Sequence, residues 1–167
     1  HAACHVSGHV VGDESTDEVP RIGVLMHGGC LSLGEPFISQ RFFILYPLEH
    51  TWHLCSDLSV SCYRFGHTLT NLGFKTILLV GGAAADDDDN RESPLLILDF
   101  QMDSLGYIDI KLRKNVYNVG ILPCSSCRAH HQALLGPEKR SLYLLGGGSA
   151  VLGFGIHHCA SAVLKIM

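Results

Sequence analysis

The sequence predicts an all-β chain made of three copies of one sheet-forming unit, and three observations carry that prediction. A short apolar run that opens on a basic residue and ends in paired glycines occurs three times. The copies are Arg21–Gly29 (RIGVLMHGG), Lys75–Gly82 (KTILLVGG) and Arg140–Gly148 (RSLYLLGGG). Each has the length of a buried strand, and the glycines end it in a turn that excludes side chains. A further apolar run follows each glycine pair at similar spacing: Phe42 comes 13 residues after Gly29, Leu95 13 after Gly82, and Ala162 15 after Gly147. Finally, an R-x-x-H tetrapeptide precedes two of the pairs. His67 of Arg64–His67 lies 14 residues before Gly81, and His131 of Arg128–His131 lies 15 before Gly146. Signals that recur together at fixed spacing mark a repeat architecture.

The first unit covers roughly 1–58. His1-Ala2-Ala3-Cys4 stands where the later units have His67-Thr68-Leu69 and His131-Gln132-Ala133. Val11–Pro20 (VGDESTDEVP) is acidic and turn-forming, so it is expected as a loop insertion. Gly34 and Pro36 exclude regular structure before a strand at Arg41–Tyr46, and Trp52 adds an aromatic residue that closes the unit. The second unit covers about 63–112 and ends in Tyr107–Leu112, whose alternating pattern predicts an outer strand. The third covers 124–167. Within these units Ile22–Gly28, Thr76–Gly81 and Ser141–Gly146 lack alternation. They are expected as central strands buried on both faces and lying nearest a common axis.

The unit so described resembles the kelch repeat, in which each copy is a four-stranded blade of a β-propeller. The resemblance implies a kelch-type propeller fragment of about three four-stranded antiparallel blades, too few to close a ring. It also implies structural roles for Gly28, Gly29, Gly81, Gly82, Gly146 and Gly147, whose lack of side chains lets backbones pack closely, and for Arg64, His67, Arg128 and His131. A histidine at a recurring repeat position is better explained as a hydrogen bond between blades than as a catalytic base.

A narrower resemblance lies at the C-terminal end. Arg140–Ile166 (RSLYLLGGGSAVLGFGIHHCASAVLKI) is similar to the last kelch segment of the tRNA wybutosine-synthesizing protein 4 family, also called leucine carboxyl methyltransferase 2. Gly146, Gly147, Gly148, Phe154, Gly155, His157 and Val163–Ile166 fall in matching places, whereas Ala150–Gly153 departs from the family pattern. Arg64–Thr68 and Leu78–Gly82 are similar to the family's penultimate unit. The resemblance implies a non-catalytic propeller portion of an S-adenosylmethionine-dependent methyltransferase that modifies phenylalanine tRNA. The cofactor would then belong to a separate methyltransferase domain. The expected partners are that domain, further propeller blades and, through the parent protein, phenylalanine tRNA. The alternative is a kelch interaction module, an adaptor or scaffold.

Composition agrees with such a piece. The 167 residues are 47% hydrophobic and 17% charged with mean hydropathy +0.23, an apolar balance that asks for neighbours. No run approaches the ~20 apolar residues of a membrane helix, and no charged region followed by an apolar core opens the chain. The net charge of −4 leaves no basic footprint for nucleic acid. Seven cysteines without framework spacing favour a reducing compartment, so a cytoplasmic location is expected.

Sites of chemistry are weighed against this background. Asp86–Asp89 could offer oxygen ligands to calcium, but no alternating ligand spacing or glycine shapes the run, so a solvated loop is expected. Cys124-Ser125-Ser126-Cys127 supplies only half of a zinc site, and no second such pair exists. The cysteines are better explained as small buried hydrophobes. Gly146–Gly148 could suggest a phosphate-binding turn, but SAVLGFG follows with no helical period to aim a helix N-terminus at the anion. No catalytic motif emerges, and no metal or cofactor residue is singled out.

Overall fold

A computed structural model of the chain describes residues 2–9, 20–28, 41–56, 64–82, 95–103, 105–115, 128–149 and 159–166. Among them there is no helix. The first unit is a four-stranded antiparallel meander of β1 (Ala2–His9), β2 (Pro20–His27), β3 (Phe42–Tyr46) and β4 (Thr51–Leu54), hydrogen-bonded in that order. The second repeats it with β5 (Thr68–Gly73), β6 (Thr76–Val80), β7 (Leu95–Met102) and β8 (Ile108–Asn115). The third runs through β9 (Arg128–Ala129), β10 (Gln132–Leu135), β11 (Ser141–Leu145), β12 (Gly148–Ser149) and β13 (Ala162–Lys165). Here β10, β11 and β13 form a three-stranded sheet, and β9 pairs with β12 apart from it.

Among the described residues the third sheet therefore has three strands where four are expected of every unit. The positive φ of Gly146 (65°) and Gly147 (85°) turns the chain out of the sheet, and Gly148–Ser149 then pairs back on Arg128–Ala129.

The sheets stack, and β6 shows how. All five of its residues are buried, because its two faces serve two separate cores. Ile77 and Leu79 join Leu25, Ile44 and Val6 of the first sheet in one cluster, with Leu96, Leu98, Ile108 and Ile110. Leu78 and Val80 join Leu142, Leu144 and Leu164 of the third sheet in the other. Alternation along an extended strand sends neighbouring side chains to opposite faces. An unbroken apolar run is thus what a middle layer requires. Strand β6 meets the expectation of burial on both faces. Strands β2 and β11 bury one face each.

The sheets come together along their first strands. Strand β5 lies against β1 on one side and β10 on the other, and the Asn71 side-chain amide donates to the His5 carbonyl across the first junction at 2.7 Å. The converging edge is thus formed by β1, β5 and β10, not by the glycine-ended strands expected nearest an axis. No helix among the described residues is long and apolar enough to cross a membrane.

Candidate functional site

The repeat residues meet where the sheets join, just beyond the ends of β2, β6 and β11. Their histidines lie at the heart of the junctions. His67 precedes β5 and is 4% exposed, and its Nε2 lies 2.9 Å from Nδ1 of His27, the last residue of β2. The two rings meet edge-on at 4.8 Å, and the His27 ring stacks on Phe42 at 4.1 Å. Nδ1 of His67 is buried and has no hydrogen-bond partner among the described residues. One ring nitrogen donates and the other accepts, the roles being set by the tautomers of the two rings. Burial, followed by the neighbouring His27 and the Arg64 guanidinium, drives the His67 pKa down to about 2. It is a neutral ring that holds two sheets, with neither the exposure nor the pKa of a general base near pH 7.

The second junction uses the same parts. His131, 5% exposed, precedes β10, and its Nε2 lies 3.0 Å from the Thr68 hydroxyl of β5. The His130 amide donates to the Gly66 carbonyl at 2.7 Å. Arg64, 3% exposed, donates through Nη1 to the Gly81 carbonyl at 3.1 Å, tying the start of its own sheet to the end of β6.

The glycines make these contacts possible by close approach. A Cβ on Gly28 would run into the Arg64 carbonyl and come within 2.6 Å of His67 Cε1. One on Gly147 would lie 2.7 Å from the Ala129 carbonyl and 2.9 Å from His131 Cβ. One on Gly82 would lie 2.8 Å from His67 Cβ, whereas one on Gly146 would meet nothing within 4 Å. The structure therefore brings Gly28, Gly81, Gly82, Arg64 and His67 together at one junction, and Gly147 with His131 at the other. Gly29 and the Arg128 side chain lie outside the described residues, as do Asp86–Asp89 and Cys124–Cys127.

Sequence reasoning missed several fastening residues on the far side of the first junction. Arg21 lies over the rings of Tyr46 and Tyr107, at 4.5 and 4.1 Å, and donates to Glu49 and to the Gly106 carbonyl. The Tyr46 hydroxyl accepts the Ile108 amide at 2.7 Å, and the His53 ring stacks on Tyr107 at 4.7 Å. The Asp109 carboxylate accepts both the amide and the hydroxyl of Ser56, which hold its pKa low against the opposing effect of burial. His27 was missed as well. Its signal was a polar residue closing an apolar run, where the other copies have Val80 and Leu145.

No group of three or more His, Cys, Asp or Glu among the described residues could hold a metal ion. Burial pushes the thiols of Cys4 and Cys55 up to about 12, which keeps both protonated near pH 7. Cys159 is disulfide-bonded, which departs from the expectation of uniformly reduced thiols. The Cys159 amide donates to the Gly147 carbonyl at 2.9 Å.

The chain matches no model of a known protein family and no curated protein.

Proposed function

We propose that this chain is a non-catalytic portion of a kelch-type β-propeller. Its work is to present surface and to hold its neighbours. The observation that supports this best is the middle sheet, whose central strand serves two cores while glycine–histidine junctions of the same kind fasten it on both sides. The repeat histidines His67 and His131 are buried, and His67 is held neutral.

The parent protein we propose is an S-adenosylmethionine-dependent methyltransferase of the tRNA wybutosine-synthesizing type. The sequence of Arg140–Ile166 and its Gly146-Gly147-Gly148 turn support that reading. On this reading the cofactor is held by a separate methyltransferase domain, and phenylalanine tRNA is a partner through the parent protein. The test is mass spectrometry of nucleosides from phenylalanine tRNA after disruption of the gene. Loss of wybutosine with accumulation of its unmethylated precursor is expected, and unchanged wybutosine overturns the parent assignment. Binding of S-adenosylmethionine to the isolated chain in calorimetry would overturn the non-catalytic role.

A further inference from the structure

One end of the stack, away from the glycine–histidine junctions, gathers the hairpin turns of all three sheets. In an antiparallel meander the β1–β2 and β3–β4 turns share an end, as do the β5–β6 and β7–β8 turns. Arg21, at the start of β2, donates to the Gly106 carbonyl in the β7–β8 turn, which sets the first two sheets the same way up. A Cβ on Gly73, the last residue of β5, would lie 3.4 Å from Lys139 Nζ in the β10–β11 turn, which does the same for the third. Further sheets of a propeller would extend the stack sideways and leave this end open.

The β5–β6 turn breaks the usual rules of such turns. Gly73 pairs with Thr76, so Phe74 and Lys75 alone make the turn, and both have positive φ, 50° and 61°. Asn-Gly is the favoured choice at two such positions, because an L side chain there is strained, a bulky one most of all. The fold gains no burial from Phe74 in exchange, since the residue is 96% exposed. A strained backbone that holds an aromatic ring in water points to a use outside the chain. Cations accompany the ring: Lys75 lies beside it, and the adjacent β10–β11 turn brings Lys139 and Arg140 to the same end. All three are exposed, and none forms an ion pair among the described residues. Glu138 is the one carboxylate on the two turns. Leu48 and Leu105, exposed in the β3–β4 and β7–β8 turns, add apolar surface at this end.

We infer that this end docks a short acidic segment of a partner protein, whose apolar residue packs on Phe74 while its carboxylates pair with Lys75, Lys139 and Arg140. Charge selects this occupant. The whole chain carries −4, which opposes the approach of an extended polyanion such as a bilayer or a nucleic acid. A short peptide meets only the local cations, because salt screens exposed charges beyond about 8 Å. The inference takes from the propeller reading only that further sheets leave this end open.

Fluorescence anisotropy of a labelled peptide, Asp-Glu-Glu-Trp-Glu-Glu-Leu, tests this on the chain and two variants. Wild type is expected to bind it, more weakly as salt rises, and to ignore a counterpart with Lys in place of every Asp and Glu. Phe74→Asn combined with Lys75→Gly restores the favoured turn residues and removes the ring and one cation. It should raise the melting temperature and weaken binding at least about tenfold. Lys139→Glu should also weaken binding, with circular dichroism showing that the sheets are kept. No binding at millimolar peptide, equal binding by the double variant, or a fall in its melting temperature would overturn the proposal. So would a preference for phosphatidylserine vesicles or for an oligouridylate over the peptide. None of these outcomes bears on the parent assignment, which the nucleoside analysis tests separately.

Discussion

Replacing Gly147 with alanine separates backbone strain from close packing at a junction, because Gly146 beside it supplies the control. Both residues have positive φ, 65° at Gly146 and 85° at Gly147, where an L side chain costs about 1–2 kcal/mol. A Cβ on Gly146 meets nothing within 4 Å, whereas one on Gly147 meets the Ala129 carbonyl at 2.7 Å and the His131 backbone nitrogen at 3.1 Å. Those neighbours are backbone atoms that cannot swing away, so overpacking adds about 1–3 kcal/mol. Gly146→Ala should therefore cost about 1–2 kcal/mol and Gly147→Ala about 2–5 kcal/mol. For a chain of this size each kcal/mol moves the melting temperature by about 2–4 °C. Thermal melts of the two variants at one fixed protein concentration would read the difference, since association also shifts melting. Equal losses, or a larger loss at Gly146, would refute the claim that glycine is required here by close approach of the third unit's backbone.

Other perturbations address the remaining contacts. With its pKa at about 2 in the folded chain against 6.5 as the ordinary value, His67 binds a proton only on unfolding. Its contribution is fully present above pH 6.5 and is lost as pH falls toward 2, with a slope approaching about 1.4 kcal/mol per pH unit. Denaturant titrations from pH 7.5 to 5 check this, and a flat profile there would contradict the buried neutral ring. Leu79→Ala and Leu144→Ala fall in different cores. Each should cost about 2–5 kcal/mol, and the double variant should lose the sum to within about 0.5 kcal/mol. Strong coupling in that double-mutant cycle would argue for one shared core. Tyr46→Phe removes the acceptor of the buried Ile108 amide and should cost about 1–3 kcal/mol. An unchanged urea midpoint would show that this bond holds nothing.

What was legible in the sequence follows from what determines it. Strand β6 is bounded by a basic residue and a glycine pair, and its unbroken apolar run announces two buried faces. The alternation of Tyr107–Leu112 marks most of β8, with Ile108 and Ile110 inward and Lys111 outward. Recurrence identified His67 and His131 as fasteners and separated the three sheets. Recurrence could not name partners, since a hydrogen bond across a junction joins residues that no spacing relates, such as Ser56 to Asp109 or Arg21 to Gly106. Nor could apolar runs say which edge converges, because the gathering strands β1 and β5 are short of large apolar residues and mix polar positions such as His5, Ser7 and Asn71 with Val6 and Leu69. The pairing of β9 with β12 depends on how Gly146 and Gly147 turn, which the dihedral angles determine and composition does not. The candidate site was therefore visible as a list of residues and invisible as a set of contacts.

The central claim is that one strand, β6, is shared by two cores in a stack of three sheets. Methyl-to-methyl nuclear Overhauser contacts measure this directly in a sample whose Ile, Leu and Val methyl groups are selectively labelled. The stack predicts contacts from Leu79 and Ile77 to Leu25 and Ile44 of the first sheet, and from Val80 and Leu78 to Leu142 and Leu144 of the third. Contacts from Leu79 and Val80 to the same neighbouring sheet, or from neither to any other sheet, would contradict it.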